Sequence, residues 1–112
     1  MKAEEFIRKL QEKARESRRR VIVSFVVRHC GWLPCLGYHP TEMIVAYPNG
    51  DLAYLPSRYG IHSVVFPLPS LRKVSFDEAV KISANLLRRE RKATRNPCLS
   101  WREKLDSAQE VE

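Results

Sequence analysis

The sequence lacks an uninterrupted apolar run long enough to cross a bilayer. The longest run, residues 21–27, is broken by Ser24, whereas a membrane helix needs about 20 apolar residues. The chain is charged from Lys2 onward and has no early apolar stretch of the kind found in secretory signals. We therefore expect a cytoplasmic protein with no membrane partner.

Catalytic signatures are also missing. No paired-carboxylate, Ser–His–Asp or metalloprotease arrangement is present, and there is no glycine-rich phosphate loop. The scattered acid–base candidates are His29, His39, His62, Glu42 and Asp51. A small ribonuclease using His62 with Arg58 and Tyr59 stays open, because general-base chemistry needs one well-placed histidine. We predict a protein that is not an enzyme and has no cofactor.

Cysteine is scarce, with three residues in a chain of 112. Cys30, Cys35 and His39, with the adjacent His29, are zinc-ligand types, but their spacing matches neither a zinc ribbon nor a zinc finger. We predict no metal site. Whether Cys30 and Cys35 are disulfide-bonded, metal-bound or free thiols that act as small hydrophobic side chains stays open.

Positive charge is what the chain has in excess. Lys and Arg number 20 against 13 Asp and Glu, giving a net charge of +7. Residues 1–20 carry +4 and residues 71–95 carry +5, whereas residues 21–70 are neutral and hold seven of the ten aromatic side chains. Two basic flanks around a neutral aromatic middle indicate a polyanionic partner, with a merely solvated basic surface as the alternative.

Hydrophobic periodicity predicts an α+β fold. Helical spacing over residues 3–17 and 76–93 predicts two main helices, the second opened by a Ser75–Glu78 capping box. β-branched or alternating runs predict four strands, at residues 21–27, 43–47, 52–55 and 63–68. The order α-β-β-β-β-α favours a four-stranded antiparallel sheet with two main helices and a short C-terminal helical extension.

The boundaries follow from the same pattern. We expect one nucleic-acid-binding domain over residues 1–95, because Asn96-Pro97 ends the second helix. Residues 96–112 are expected to form a short helical extension with an acidic, frayed tail. Asn49-Gly50 predicts a two-residue hairpin loop, which would put Tyr47 and Tyr54 on one face of the hairpin.

The candidate site combines cations with aromatic rings. Arginines and a lysine at the ends of the two long helices are more numerous than helix-dipole complementation explains. Exposed tyrosine and tryptophan rings can stack on bases. The predicted nucleic-acid-binding residues are Arg20, Trp32, Tyr47, Tyr54, Arg58, Tyr59, Lys73, Arg88, Arg91, Lys92 and Arg95.

An uncharged aromatic sheet flanked by arginine-rich helices resembles the ThermoDBP-related single-stranded DNA-binding proteins of hyperthermophilic archaea. The resemblance covers residues 1–95 and lies in architecture and composition. It implies an α+β domain whose sheet and helix define a cleft, with bases in an apolar groove, a basic lip and assembly into a homo-oligomer. The near absence of glutamine, with only Gln11 and Gln109, is compatible with a thermophile.

We therefore predict a sequence-tolerant, basic single-stranded DNA-binding protein, with RNA as the ligand left open. The first alternative is a binder of structured or double-stranded RNA, which the helix and strand order also allows. The second is a protein-interaction module, an inhibitor or assembly factor, in which Trp32, Tyr47 and Tyr54 would be hot spots for a protein partner.

Overall fold

The computed structural model describes residues 1–28, 41–58 and 71–111. The described strands form one antiparallel sheet in the order β4-β3-β2-β1-β5. The elements are α1 (Ala3–Ser17), β1 (Arg20–Val26), β2 (Thr41–Ala46), β3 (Leu52–Arg58), β4 (Arg72–Val74), α2 (Phe76–Ala93), α3 (Trp101–Ser107) and β5 (Gln109–Val111). The predicted α+β class and antiparallel sheet are confirmed, but the sheet has five strands rather than four.

The two short edge strands differ from the prediction. The expected strand at residues 63–68 lies outside the described residues, and β4 pairs with β3 instead, Val74 opposite Leu52. β5 pairs with β1, Val111 opposite Arg20, where the sequence predicted a frayed tail. Strands of three residues carry no readable alternation, because pairing with a neighbouring strand determines them more than intrinsic propensity does.

The helices begin and end where local chemistry predicts. α2 starts at a complete capping box, in which the Ser75 hydroxyl accepts a hydrogen bond from Glu78 N–H and the Glu78 carboxylate accepts one from Ser75 N–H. α3 starts at Ser100, whose hydroxyl accepts from Glu103 N–H. α1 ends at Arg18, which adopts a left-handed conformation with φ of 58° and turns the chain into β1.

The main core lies between the helices and one face of the sheet. The Phe6 ring of α1 is fully buried, 6.3 Å from the Phe25 ring of β1 and 4.8 Å from the Trp101 ring of α3. Burying a side chain of this size contributes about 1.5–3 kcal/mol. Around it cluster Ile7, Leu10, Val21, Val23, Ile44, Leu52, Val74, Leu86, Leu87 and Leu105.

A buried lysine joins α3 to this core. Lys104 Nζ lies 2.9 Å from Glu90 Oε1 of α2 and donates a hydrogen bond to the Ser24 carbonyl of β1 at 2.6 Å. The same ammonium lies 4.8 Å from the centre of the Phe25 ring. These contacts fix the chain after residue 96 to both layers of the domain. They also pair the buried ammonium, which is needed because a buried charge is tolerated only when it is paired.

The second face of the sheet is also apolar. Val45, Ala53 and Leu55 point away from the helices and are nevertheless 1–4% exposed. The centre of this face is therefore not accessible to a ligand, and a binding site has to be sought at the ends of the face.

Candidate nucleic-acid interface

The β2–β3 hairpin has a three-residue loop. Gly50 N–H donates to the Tyr47 carbonyl at 3.0 Å, and Tyr47 N–H donates to the Asp51 carbonyl at 2.9 Å. Gly50 has φ of +94°, in the left-handed region that favours glycine. This is a type I turn followed by a left-handed residue, with Pro48 in the position where a fixed φ suits that turn.

The loop length sets the register of the hairpin. Ala46 pairs with Leu52 and Ile44 with Tyr54. Tyr54 therefore lies on the helix side of the sheet, and Tyr47 lies on the opposite face. The prediction that the two tyrosines share one face is wrong, because the additional loop residue shifts the pairing by one position and each such shift reverses a side chain's face.

Tyr47 and Lys73 come together at the hairpin end of the outer face. They line a cavity of about 260 Å³ together with Asn49, Asp51, Leu52, Ala53 and Leu71. Lys73 is on the edge strand β4, with a side chain 77% exposed, and its Nζ lies 3.5 Å from Asp51 Oδ2. The cavity thus has an aromatic and apolar wall, with a cation and a carboxylate at its rim.

The turn beside this cavity is held rigidly. Asn49 Nδ2 donates to Asp51 Oδ2 at 3.1 Å, and Asp51 N–H donates back to Asn49 Oδ1 at 3.0 Å. Gln11 of α1 donates to the Gly50 carbonyl at 2.9 Å. The wall is therefore preorganised, which lowers the entropy lost when a ligand binds.

Tyr54 belongs to a polar network inside the protein. Its hydroxyl donates to Oε1 of Glu42, whose other carboxylate oxygen accepts from Arg89 Nη1 at 3.3 Å. Burial, and then the hydrogen bond to Glu42, raise the pKa of Tyr54 to about 12. The Arg72 guanidinium lies 5.7 Å from the centre of the Tyr54 ring.

The network assigns Glu42 a different role from the acid–base one considered above. Glu42 is 5% exposed, and its carboxylate anchors Arg89, a residue absent from the predicted site. No sequence signal joins these two residues, because they are brought together only by the packing of α2 against β2. The half-exposed Arg89 guanidinium still has N–H donors to offer a ligand.

The basic end of α2 is divided between structural and exposed side chains. Arg91 has a structural contact, because its Nε donates to the Leu99 carbonyl at 2.7 Å. The i, i+3, i+7 spacing of Arg88, Arg91 and Arg95 would place them on one helical face, but Arg95 lies beyond the helix with φ of 54°, so this face is not formed. Over residues 1–28, 41–58 and 71–111, the side chains of Arg88, Lys92 and Arg95 make no ion pair and are exposed.

This basic end is far from the Tyr47 cavity. α2 begins directly after Val74, which pairs with Leu52 beside the hairpin loop, whereas Arg89 reaches Glu42 at the opposite end of β2. Along α2, Arg88 and Lys92 lie about 18 and 24 Å from Phe76 at 1.5 Å per residue. Among the described residues, the two basic regions thus lie at opposite ends of α2.

The remaining candidates fall in three places. Val21 pairs with Ala46, and both face the helices. Arg20 precedes Val21 in β1 and therefore lies on the outer face, at the same end of the sheet as Tyr47. Arg58 pairs with Thr41 at the other end of the sheet. Trp32 and Tyr59 lie outside the described residues, as does His62. The same is true of the residues considered as zinc ligands or as a disulfide, Cys30, Cys35, His29 and His39.

Within the described ranges, no three His, Cys, Asp or Glu residues are grouped so as to hold a metal ion. None of the helices described combines the length and apolar character needed to cross a bilayer. In comparisons with known proteins, no family model, curated protein or solved structure matches this chain.

Proposed function

We propose that this chain is a non-enzymatic protein that binds single-stranded DNA with little sequence preference, and that the Tyr47 cavity receives one unpaired base. The observation that supports this most directly is the meeting of Tyr47 and Lys73 on one cavity. An aromatic ring offers stacking to any base, and the adjacent ammonium offers a contact to the phosphate.

The size of the cavity favours a single ring system. Its 260 Å³ is just below the ~300–1,000 Å³ of sites for drug-sized ligands. A base inside a duplex has both faces stacked and its pairing edge occupied, so it is not available to such a cavity. This is why the geometry favours an unpaired strand over double-stranded RNA.

The far end of α2 supplies the electrostatic part of the proposal. Arg88 and Lys92 lie one helical turn apart on α2, and Arg95 follows it. Cations that are not neutralised by the protein attract phosphates over about a Debye length and raise the association rate. A strand bound at Tyr47 needs several nucleotides to reach this second region.

Assembly into a homo-oligomer is part of the proposal. The resemblance to the ThermoDBP-related proteins implies it. Light scattering of the protein alone and with oligonucleotide tests it, and a monomer in both samples contradicts it.

The test of the function is a titration of labelled oligo-dT, duplex DNA and duplex RNA, read by fluorescence anisotropy. We expect oligo-dT to bind most tightly of the three, and Tyr47→Leu to weaken it about 5- to 150-fold, since stacking contributes ~1–3 kcal/mol per base. Tyr47→Phe, which keeps the ring, is the matched control and should bind nearly as well as the wild type.

The other outcomes discriminate between the alternatives. Binding of duplex RNA without oligo-dT supports the structured-RNA function. No response to any of the three nucleic acids contradicts the proposal and favours a protein-interaction module.

A further inference from the structure

The carboxylate of Asp51 is unusual for a surface that is to hold nucleic acid. It lines the Tyr47 cavity, and its side chain is 45% exposed. Oδ2 accepts from Asn49 and faces Lys73, whereas Oδ1 makes no hydrogen bond within the described part of the chain. One acceptor oxygen of a residue held in a rigid turn is therefore left available at the rim of the cavity.

An ionised carboxylate is an acceptor only, so it distinguishes bases by their donors. Cytosine offers the N4 amino group, and adenine offers N6; an acidic side chain accepting from cytosine N4 is a known form of base readout. Thymine and uracil instead present a single donor, N3–H, between two carbonyl acceptors at O4 and O2. A carboxylate that accepts from N3–H lies beside these two oxygens and is repelled by them, so its hydrogen bond to thymine is weaker than one to an amino group.

We infer that Asp51 gives the Tyr47 cavity a preference for bases with an amino group on the pairing edge over thymine and uracil. This inference rests on the proposed function. Stacking on Tyr47 stays tolerant of sequence, and Asp51 adds discrimination at the one base that occupies the cavity.

The closing experiment compares oligo-dC with oligo-dT, two pyrimidine strands of the same length, slightly above neutral pH and at one salt concentration. A good side-chain–base pair discriminates by ~1–3 kcal/mol, and because thymine keeps the N3–H donor we expect the lower end of this range, with oligo-dC binding about 5- to 10-fold more tightly. Asp51→Asn should bring the ratio close to one, chiefly by weakening oligo-dC, because an amide presents both a donor and an acceptor.

Two further variants test whether the effect is specific to the Asp51 side chain. Asp106→Asn removes the same charge from an exposed position on α3 and should leave the ratio unchanged. Asp51→Ala removes every hydrogen bond of the side chain and should also give a ratio close to one. It serves in place of Asp51→Asn if that variant does not fold.

The inference is overturned if the wild type binds both strands equally, or if the Asp51 variants weaken both strands by the same factor. Absence of binding to either strand overturns the proposed function, and this inference with it. Strong binding with no discrimination overturns the inference alone.

Discussion

Tyr47 and Tyr54 belong to the same hairpin, yet one ring lines an open cavity and the other is tied to a buried carboxylate on the opposite face. Two similar side chains thus serve different parts of the molecule. Tyr47 has no hydrogen bond from its hydroxyl within the described residues, whereas Tyr54 links β3 to β2 through Glu42.

This difference predicts that Tyr54→Phe affects stability and not binding. Loss of the hydroxyl leaves the buried Glu42 carboxylate with one partner fewer, which costs about 1–3 kcal/mol in the free energy of unfolding. Urea unfolding measures the loss, and oligo-dT affinity should stay within about twofold of the wild type. Weakening comparable to that of Tyr47→Leu would mean that bases stack on Tyr54 instead.

Alkaline pH should destabilise the protein through Tyr54. The pKa of this phenol is about 12 in the folded protein, against 10.0 ordinarily, so folding favours the neutral form. The resulting stability is fully present below pH 10 and is lost as pH rises from 10 towards 12. Urea midpoints over this range should fall more steeply for the wild type than for Tyr54→Phe, and parallel curves contradict the prediction.

The exposed cations of α2 should appear in the salt dependence of binding. Each phosphate contact to a single strand contributes about −0.7 to the slope of log K against log salt. If Arg88 and Lys92 each contact one phosphate, Arg88→Gln/Lys92→Gln reduces the slope by about 1.4. Lys2→Gln/Arg102→Gln removes the same charge from other exposed positions and should leave the slope unchanged; equal effects of the two pairs would indicate general attraction only.

Replacing only one partner of the Lys104–Glu90 pair should strongly lower the free energy of unfolding. Lys104→Met leaves a buried carboxylate without its cation and should lower the free energy of unfolding by about 3–5 kcal/mol. Replacing both partners, in Lys104→Met/Glu90→Leu, should recover much of this loss because no buried charge remains. Urea unfolding of the two single variants and the double variant gives the coupling directly, and additive losses would show that the two residues act independently.

Arg18 occupies a backbone conformation that glycine adopts more readily. With φ of 58° after the last residue of α1, Arg18→Gly should raise the free energy of unfolding by about 1 kcal/mol. Arg15→Gly, inside the same helix, should lower it by a similar amount. Thermal unfolding of the two variants measures the contrast, and a loss of stability in both would contradict it.

Local signals in the sequence predicted the long elements well. The spacing of Phe6, Ile7, Leu10 and Ala14 predicts α1 with its observed bounds, and the Ser75–Glu78 capping box predicts the start of α2. These signals are reliable because the groups that define them lie within one or two helical turns of each other.

The hairpin shows why the register was harder to predict. Asn49-Gly50 is typical of a two-residue loop, but the preceding Pro48 favours the first central position of a type I turn. The proline therefore indicates the three-residue loop that is observed. Once the loop is misjudged by one residue, every side chain of β3 is assigned to the wrong face relative to β2.

The candidate site itself depends on contacts that are distant in sequence. Lys73 joins Tyr47 only because a three-residue strand pairs with β3, and Arg89 meets Glu42 only across the interface of helix and sheet. Composition indicated cations and rings, but the pairing of particular residues arises from tertiary packing. That is why Tyr47 and Lys73 were predicted individually and their shared cavity was not.

The three residues of β5 cover part of the outer edge of β1. An uncovered edge offers free N–H and C=O groups to another chain, and the apolar, β-branched sequence of β1 is of the kind that aggregates when exposed. By pairing with β1, β5 thus keeps this part of the edge from pairing with another chain. If the segment after Ala108 were displaced, β1 could pair with the same strand of a second molecule, so protection against self-association depends on a few backbone hydrogen bonds.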